Sequence, residues 1–166
     1  MKLSIISTSQ QKNSQSKRVS EICKNLILEI DNKIECFNLD MFENKIPLWT
    51  SEKSEDLTFW RDRLDKISAN LNSSDGFIFV VPEYGGMASP SAKNFFLIFN
   101  SGELFHKPGL IVSISSGNGG AYPISELRSS SYKNTHVLWI PENIIIRNVN
   151  QFVPGKHGDL IPCLLY

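Results

Sequence analysis

The segment FIFVVPEYGGMASPSAKNFFLIF, from Phe77 to Phe99, predicts a buried strand, a glycine-bearing loop and a helix. Its first five residues are apolar at every position and are stopped by Pro82, a pattern typical of a central parallel strand that is covered on both faces. Ser89 and Pro90 then predict the cap and the first turn of the helix. The loop between them therefore lies at the carboxyl end of the strand, where open α/β sheets usually bind their ligands.

The rest of the chain alternates in the same way between strand and helix patterns. Further strands are predicted at Leu3–Ile6, Lys33–Asn38, Gly109–Ser115 and His136–Ile140, with Ile144–Ile146 as a short apolar run beside the last. Further helices are predicted from about Ser16 to Ile30, from Leu57 to Leu71 and from Ala121 to Tyr132. This alternation predicts an α/β fold with a doubly wound, parallel, five-stranded sheet. The 166 residues suit one domain, and 41% hydrophobic residues are enough for a core.

Composition excludes several classes of function. Seventeen basic and seventeen acidic side chains leave no net charge, which disfavours nucleic-acid binding and a dedicated acidic electron carrier. The apolar run after Lys2 is too short for a signal peptide or a membrane span. Cys23, Cys36 and Cys163 have no metal-ligand or disulfide spacing, which favours reduced thiols in a cytoplasmic protein. No motif of a hydrolase or of a metal site is present.

Two further loops follow strands and carry polar groups. The first, Ser7 to Ser16, is rich in hydroxyl and amide side chains and precedes a helix, whose amino terminus favours an anion. A solvated loop that only caps this helix is the alternative. The other, Ser116 to Gly120, has three glycines and suits the polar edge of a planar heterocycle, although an ordinary turn is again the alternative. A dinucleotide fingerprint is disfavoured because Tyr122 occupies the place of its final glycine.

The residues PEYGGM and AKN, from Pro82 to Asn94, resemble the loop after the third strand in NADPH-dependent FMN reductases. This flavodoxin-like family includes azoreductases and quinone reductases. The first loop resembles the flavin-phosphate loop of the family, with Thr8 in place of the usual glycine and Gln11 in place of the usual arginine. The loss of the arginine removes a charged donor to the phosphate. The loop after the fourth strand resembles the one that contacts the pyrimidine end of the flavin.

The resemblance implies a strand order of 2-1-3-4-5 and one FMN-binding domain over residues 1–166. It implies a reaction in which NADPH or NADH gives a hydride to bound FMN, which passes it to a small acceptor such as flavin, quinone or an azo compound. Because the cofactor carries the chemistry, no catalytic side chain and no metal are expected. The alternatives are a flavodoxin-type electron carrier and a fold relative that has lost its cofactor. The implied cofactor-binding residues are Ser9, Gln11, Ser14 and Ser16 in the first loop, Pro82, Glu83, Tyr84, Gly85 and Gly86 in the second, and Ser116, Gly117, Asn118 and Gly120 in the third.

The C-terminal residues depart from this pattern. Pro162 stands where the final helix would begin, so either that helix is missing or another surface replaces it. A missing helix would expose apolar sheet and favour self-association, which predicts a homodimer or homotetramer.

Overall fold

Parallel strands with helices between them make up the computed structural model, which describes residues 1–51 and 57–153. The strands are β1 (Lys2–Ser7), β2 (Glu35–Asp40), β3 (Gly76–Tyr84), β4 (Met87–Ala88), β5 (Pro108–Ile114) and β6 (Leu138–Ile146). The helices are α1 (Gln15–Ile30), α2 (Leu57–Asn72), α3 (Pro90–Ile98), α4 (Ala121–Ser130) and α5 (Tyr132–Thr135), and a 3-10 turn follows at Val149–Gln151.

The sheet has the order β2-β1-β3-β5-β6, with parallel pairing throughout, and β4 adds an antiparallel hairpin to the end of β3. Counted as the five parallel strands, this is the expected flavodoxin-like order 2-1-3-4-5, which is confirmed. Parallel strands that share one sheet direct their carboxyl ends to the same edge. The loops after β1, β3 and β5 therefore meet there.

Helices cover both faces of the sheet. On one face, Leu71 of α2, Phe95 of α3 and Leu127 of α4 pack in one cluster with Phe79 of β3. On the other face, Val19 of α1 packs with residues of β1, β3 and β5 and with Val149 of the 3-10 turn. Phe79 and Val80 are both fully buried, as the continuous apolar run of β3 predicts.

The strand β3 was expected to stop at Pro82, and this was wrong because it continues to Tyr84. The carbonyl of Val80 accepts from the amide of Thr8, so this residue faces β1. Pro82, two residues on, faces the same side, but β1 has already ended opposite Val80. The proline therefore breaks no ladder hydrogen bond at this position.

Two other strand predictions needed correction. The strand β2 begins at Glu35 rather than at Lys33. The last strand is one element, β6, rather than two runs. The residues around Pro141 form a bulge within it, where the pairing register with β5 shifts between Gly109 and Ile111. Arg128 of α4 donates to three carbonyls of that bulge, at residues 140–142.

Several expectations concern what the described residues lack. None of their helices is both long and apolar enough to cross a membrane, and no cluster of three metal-ligating side chains occurs among them. Cys23 and Cys36 are free thiols, and burial raises the pKa of the Cys23 thiol to about 11. Cys163 and the predicted absence of a final helix at residues 155–166 lie outside the described residues.

Candidate functional site

A cavity of about 400 Å³ opens at the carboxyl edge of the sheet. Its volume falls in the range of small-molecule sites, about 300–1,000 Å³. The first loop with the start of α1, the end of β3, the end of β5 and the 3-10 turn supply its walls. The lining residues are Ser9, Gln11, Ser14, Gln15, Ser16, Pro82, Tyr84, Ile114, Ser116, Val149 and Asn150.

Ser14 ends the first loop by capping α1. Its hydroxyl oxygen accepts a hydrogen bond from the amide of Lys17 at 3.1 Å, which satisfies one of the unpaired amides of the first helical turn. The cavity therefore lies against a helix amino terminus, whose dipole favours an anion.

Ser16 is the clearest sign of a ligand at this edge. The residue is 1% exposed and lines the cavity, yet its hydroxyl has no hydrogen-bond partner in the structure. A buried hydroxyl without a partner is costly and is usually satisfied by a ligand or by water. Together with the hydroxyls of Ser9 and Ser14, it makes a donor set that suits phosphate oxygens. These features fit the phosphate end of FMN, the cofactor that the resemblance implies.

Ser9 links the first loop to the hairpin. Its hydroxyl accepts from the amide of Gln11 at 3.1 Å and shares a 2.9 Å hydrogen bond with the hydroxyl of Tyr84. The tyrosine ring is thereby fixed at one side of the cavity, next to Pro82. Gln11 itself is exposed at the rim.

Thr8, which replaces the usual glycine, has a structural role beside this cavity. It is fully buried, and both its amide and its hydroxyl donate to the carbonyl of Val80, at 3.0 and 3.2 Å. Its own carbonyl accepts from the hydroxyls of Ser89 and Ser91 at the start of α3. The threonine therefore ties the first loop to β3 and α3, so this departure from the family pattern leaves the loop anchored.

Gly85 and Gly86 form the two-residue turn between β3 and β4. Their φ angles are +59° and +78°, a left-handed pair typical of a type I′ hairpin turn, in which side chains other than those of Asn and Asp are disfavoured. Neither glycine lines the cavity. The turn alone thus explains both glycines sterically, and their predicted contact with a flavin ring stays a prediction.

Glu83 joins the hairpin to the third loop. Its carboxylate accepts from the amide of Gly120 at 2.5 Å, and Gly120 has a φ of +105°. This hydrogen bond requires a glycine at position 119, because a Cβ there would lie 3.0 Å from Cδ of Glu83 and closer still to Oε1. In the structure the carboxylate of Glu83 holds the third loop, and its predicted contact with a flavin ring stays a prediction.

A second carboxylate joins the hairpin to α4, the helix that follows the third loop. Glu126 of α4 accepts from the amide of Ala88 in β4 at 2.7 Å and pairs with Lys93 of α3 at 2.5 Å. Burial acts to raise the pKa of the Glu126 carboxyl, but the bonds from Lys93 and from the Ala88 amide outweigh it and lower the pKa. The hairpin is therefore held to the third loop by Glu83 and to α4 by Glu126.

The third loop is also held by residues after β6. The carbonyl of Asn118 accepts from Nε of Arg147 at 2.8 Å, and its side-chain oxygen accepts from Asn148 at 3.2 Å. The amide of Asn148 donates to the carbonyl of Gly117 at 2.9 Å. These contacts fix the loop backbone at the cavity rim.

The structure thus brings some of the predicted residues to one cavity and leaves others beside it. On its walls are Ser9, Gln11, Ser14, Ser16, Pro82, Tyr84 and Ser116. Outside the walls are Glu83, Gly85, Gly86, Gly117, Asn118 and Gly120.

Four lining residues were missed from the sequence: Gln15, Ile114, Val149 and Asn150. Ile114 lies one residue before the end of the strand predicted at Gly109–Ser115, so its position at this edge could have been inferred. Gln15 is the first helical residue, next to two serines that were identified. Val149 and Asn150 carry no local signal, because they reach the cavity through a turn that follows the last strand.

Comparison with known proteins gives a family match. The sequence model of NADPH-dependent FMN reductases matches residues 1–151. No curated protein matches the chain by sequence.

Solved structures share the fold at low sequence identity. An oxidoreductase from Corynebacterium diphtheriae superimposes with a TM-score of 0.72 at 14% identity, over 94% of this chain and 86% of that one. An NADH:FMN oxidoreductase in its apo form gives 0.69 at 14% identity, over 89% and 75%. An azoreductase from Bacillus anthracis str. Sterne gives 0.68 at 13% identity, over 91% and 88%. With the family model covering nearly all of the described residues, the chain belongs to the NADPH-dependent FMN reductase family.

Proposed function

We propose that this chain is a single FMN-binding domain that passes a hydride from NADPH or NADH to a small acceptor, such as a flavin, a quinone or an azo compound. Membership of the family supports the reaction class. The observation that carries the proposal for this chain is the buried, unpartnered hydroxyl of Ser16 in a cavity at the start of α1. Such a hydroxyl beside a helix amino terminus is suited to an anionic group.

Each of the three loops has a separate task in this proposal. Ser9, Ser14 and Ser16 hold the phosphate, with Gln11 at the rim. The flavin ring lies along the end of β3 and the hairpin turn, at Pro82, Glu83, Tyr84, Gly85 and Gly86. The polar edge of the ring faces Ser116, Gly117, Asn118 and Gly120 of the third loop.

When bound, FMN supplies the hydride-transfer chemistry, and the protein supplies binding, orientation and electrostatics. The hydrogen bond between Ser9 and Tyr84 orients the tyrosine before any ligand arrives. The bond of Glu83 holds the hairpin to the third loop, and that of Glu126 holds it to α4. This preorganisation lowers the ordering cost of binding. No side chain is assigned a catalytic role.

We further propose that the protein acts in the cytoplasm as a homodimer or homotetramer, without nucleic-acid or membrane partners. The free thiols of Cys23 and Cys36 support a reducing compartment. Large apolar side chains at the surface support self-association: Phe59 is 80% exposed and Leu97 of α3 is 43% exposed.

The test is a visible spectrum of the purified chain after incubation with excess FMN and desalting. We expect flavin absorbance to remain with the protein and to be bleached by NADPH or NADH without oxygen, then restored by a quinone. Loss of all flavin on desalting would refute the proposal. Retained flavin that neither nucleotide bleaches, but that a chemical reductant does, would favour the electron-carrier alternative.

A further inference from the structure

Arg18, in the first turn of α1, is a half-buried cation whose partners are all neutral. Its Nε donates to Oε1 of Gln15 at 2.6 Å, and its two terminal nitrogens donate to the carbonyls of Phe152 at 2.9 Å and Val149 at 2.5 Å. None of the ion pairs among residues 1–51 and 57–153 includes it. A partly buried charge without a counter-ion favours an anion nearby.

The other cations of this region are less well placed. The ammonium of Lys17 is paired with the carboxylate of Glu43, so its charge is neutralised locally. Lys12 is exposed and does not line the cavity. Arg18 differs from both, because two of its hydrogen-bond partners, Gln15 and Val149, line the cavity.

The bond from Arg18 determines which end of the Gln15 amide is free. A guanidinium has donors only, so Gln15 must turn its oxygen toward Arg18. The NH₂ group of Gln15 then points away from Arg18, and it has no hydrogen-bond partner among the described residues. Since Gln15 lines the same cavity as Ser16 and its unpartnered hydroxyl, this NH₂ group is a second donor available to a ligand there.

We propose that Gln15 and Arg18 together take over the task of the arginine that is missing at position 11. Gln15 donates its NH₂ group to the phosphate of FMN, and Arg18 orients Gln15 and supplies the positive charge behind it. This inference rests on the proposed function and assigns two residues to it that the family pattern does not include. It makes the site selective for a phosphate monoester over the same ligand without phosphate.

The experiment titrates wild type, Gln15→Leu and Gln10→Leu with FMN and with riboflavin, which lacks the phosphate. Gln10→Leu is the matched control, because it makes the same chemical change in the same loop at a residue that does not line this cavity. We expect Gln15→Leu to weaken FMN binding about tenfold, the effect of one hydrogen bond to a charged group, and to leave riboflavin binding within about twofold. Gln10→Leu should change neither.

The charge of Arg18 is tested by comparing Arg18→Lys with Arg18→Met. Both substitutions lose the planar guanidinium whose hydrogen bond orients Gln15, but Arg18→Lys keeps the positive charge. We expect Arg18→Met to lose more FMN affinity than Arg18→Lys, and the difference between them to shrink as salt is added. Thermal unfolding of both variants reports any loosening of the 149–152 turn.

Three outcomes overturn the inference. They are an unchanged FMN affinity in Gln15→Leu, an equal loss for FMN and riboflavin, and equal FMN affinities for the two Arg18 variants. If wild type binds no flavin at all, the proposed function fails, and inorganic phosphate then tests the anion site alone. Phosphate should raise the melting temperature of wild type and Gln10→Leu more than that of Gln15→Leu, and equal shifts would refute the assignment.

Discussion

Replacing Gly119 with alanine should break the hydrogen bond between Glu83 and Gly120 without straining the backbone. Gly119 is not among the glycines with positive φ, so alanine can adopt its conformation. Its new Cβ would lie 3.0 Å from Cδ of Glu83 and closer still to Oε1. The carboxylate is the end of a flexible side chain, so it can swing away at little steric cost. It cannot do so and keep its 2.5 Å bond to the Gly120 amide.

The expected cost follows from that one bond. A hydrogen bond to a charged group contributes about 1.5–3 kcal/mol, and a half-exposed carboxylate belongs at the lower end. Exchange of glycine for alanine returns about 0.4–1 kcal/mol by restricting the unfolded chain. The net loss of unfolding free energy is therefore about 1 kcal/mol, or roughly 2–4 °C in melting temperature for a chain of this size.

Urea unfolding followed by tryptophan fluorescence measures this cost in a double-mutant cycle with Glu83→Ala. In the Glu83→Ala background there is no carboxylate for the new Cβ at position 119 to meet, so Gly119→Ala should be neutral or slightly stabilising. Gly117→Ala is the matched control, because nothing lies within 4 Å of a Cβ at that position. An equal loss in both backgrounds, or an equal loss in the control, would refute the role given to Glu83.

Three other substitutions test the site. Gln11→Arg should tighten FMN binding about tenfold to hundredfold, less so at high salt, and should leave riboflavin binding unchanged; an equal gain for both ligands would contradict the assignment. Valine at Gly85 or Gly86 should lower flavin affinity with little change in helical circular dichroism, whereas Gly85→Asn, which tolerates a left-handed turn, should be mild; unchanged affinity in both valine variants would remove the hairpin from the site. Glu126→Gln should destabilise the fold at neutral pH. Because the carboxyl pKa of Glu126 is lowered when folded, its contribution is present above the ordinary value of 4.5 and is lost as pH falls through the folded pKa, so the two unfolding free energies should converge in acid.

The sheet and the position of its ligand edge could be predicted because they depend on patterns within short segments. The continuous apolar run of β3 predicts a central strand, and Ser89 caps α3 as expected. The helix α1 begins at Gln15, one residue before the predicted start near Ser16. The strand ends were less predictable. Pro82 was expected to end β3, but whether a proline is tolerated there depends on where the neighbouring β1 ends.

The sequence by itself determined that this chain is an α/β domain with its polar and glycine-rich loops at one edge, because periodicity and turn residues are local properties. Only the tertiary structure decided which side chains meet at that edge. The bond from Gly120 to Glu83 joins residues 37 apart, and the bond from Arg18 to Phe152 joins residues 134 apart. Such pairs have no signature in a single sequence, since each partner is an ordinary residue in its own segment. Their contact exists only after the sheet has brought the loops together, and it is this contact that gives Glu83 and Arg18 their positions beside the cavity.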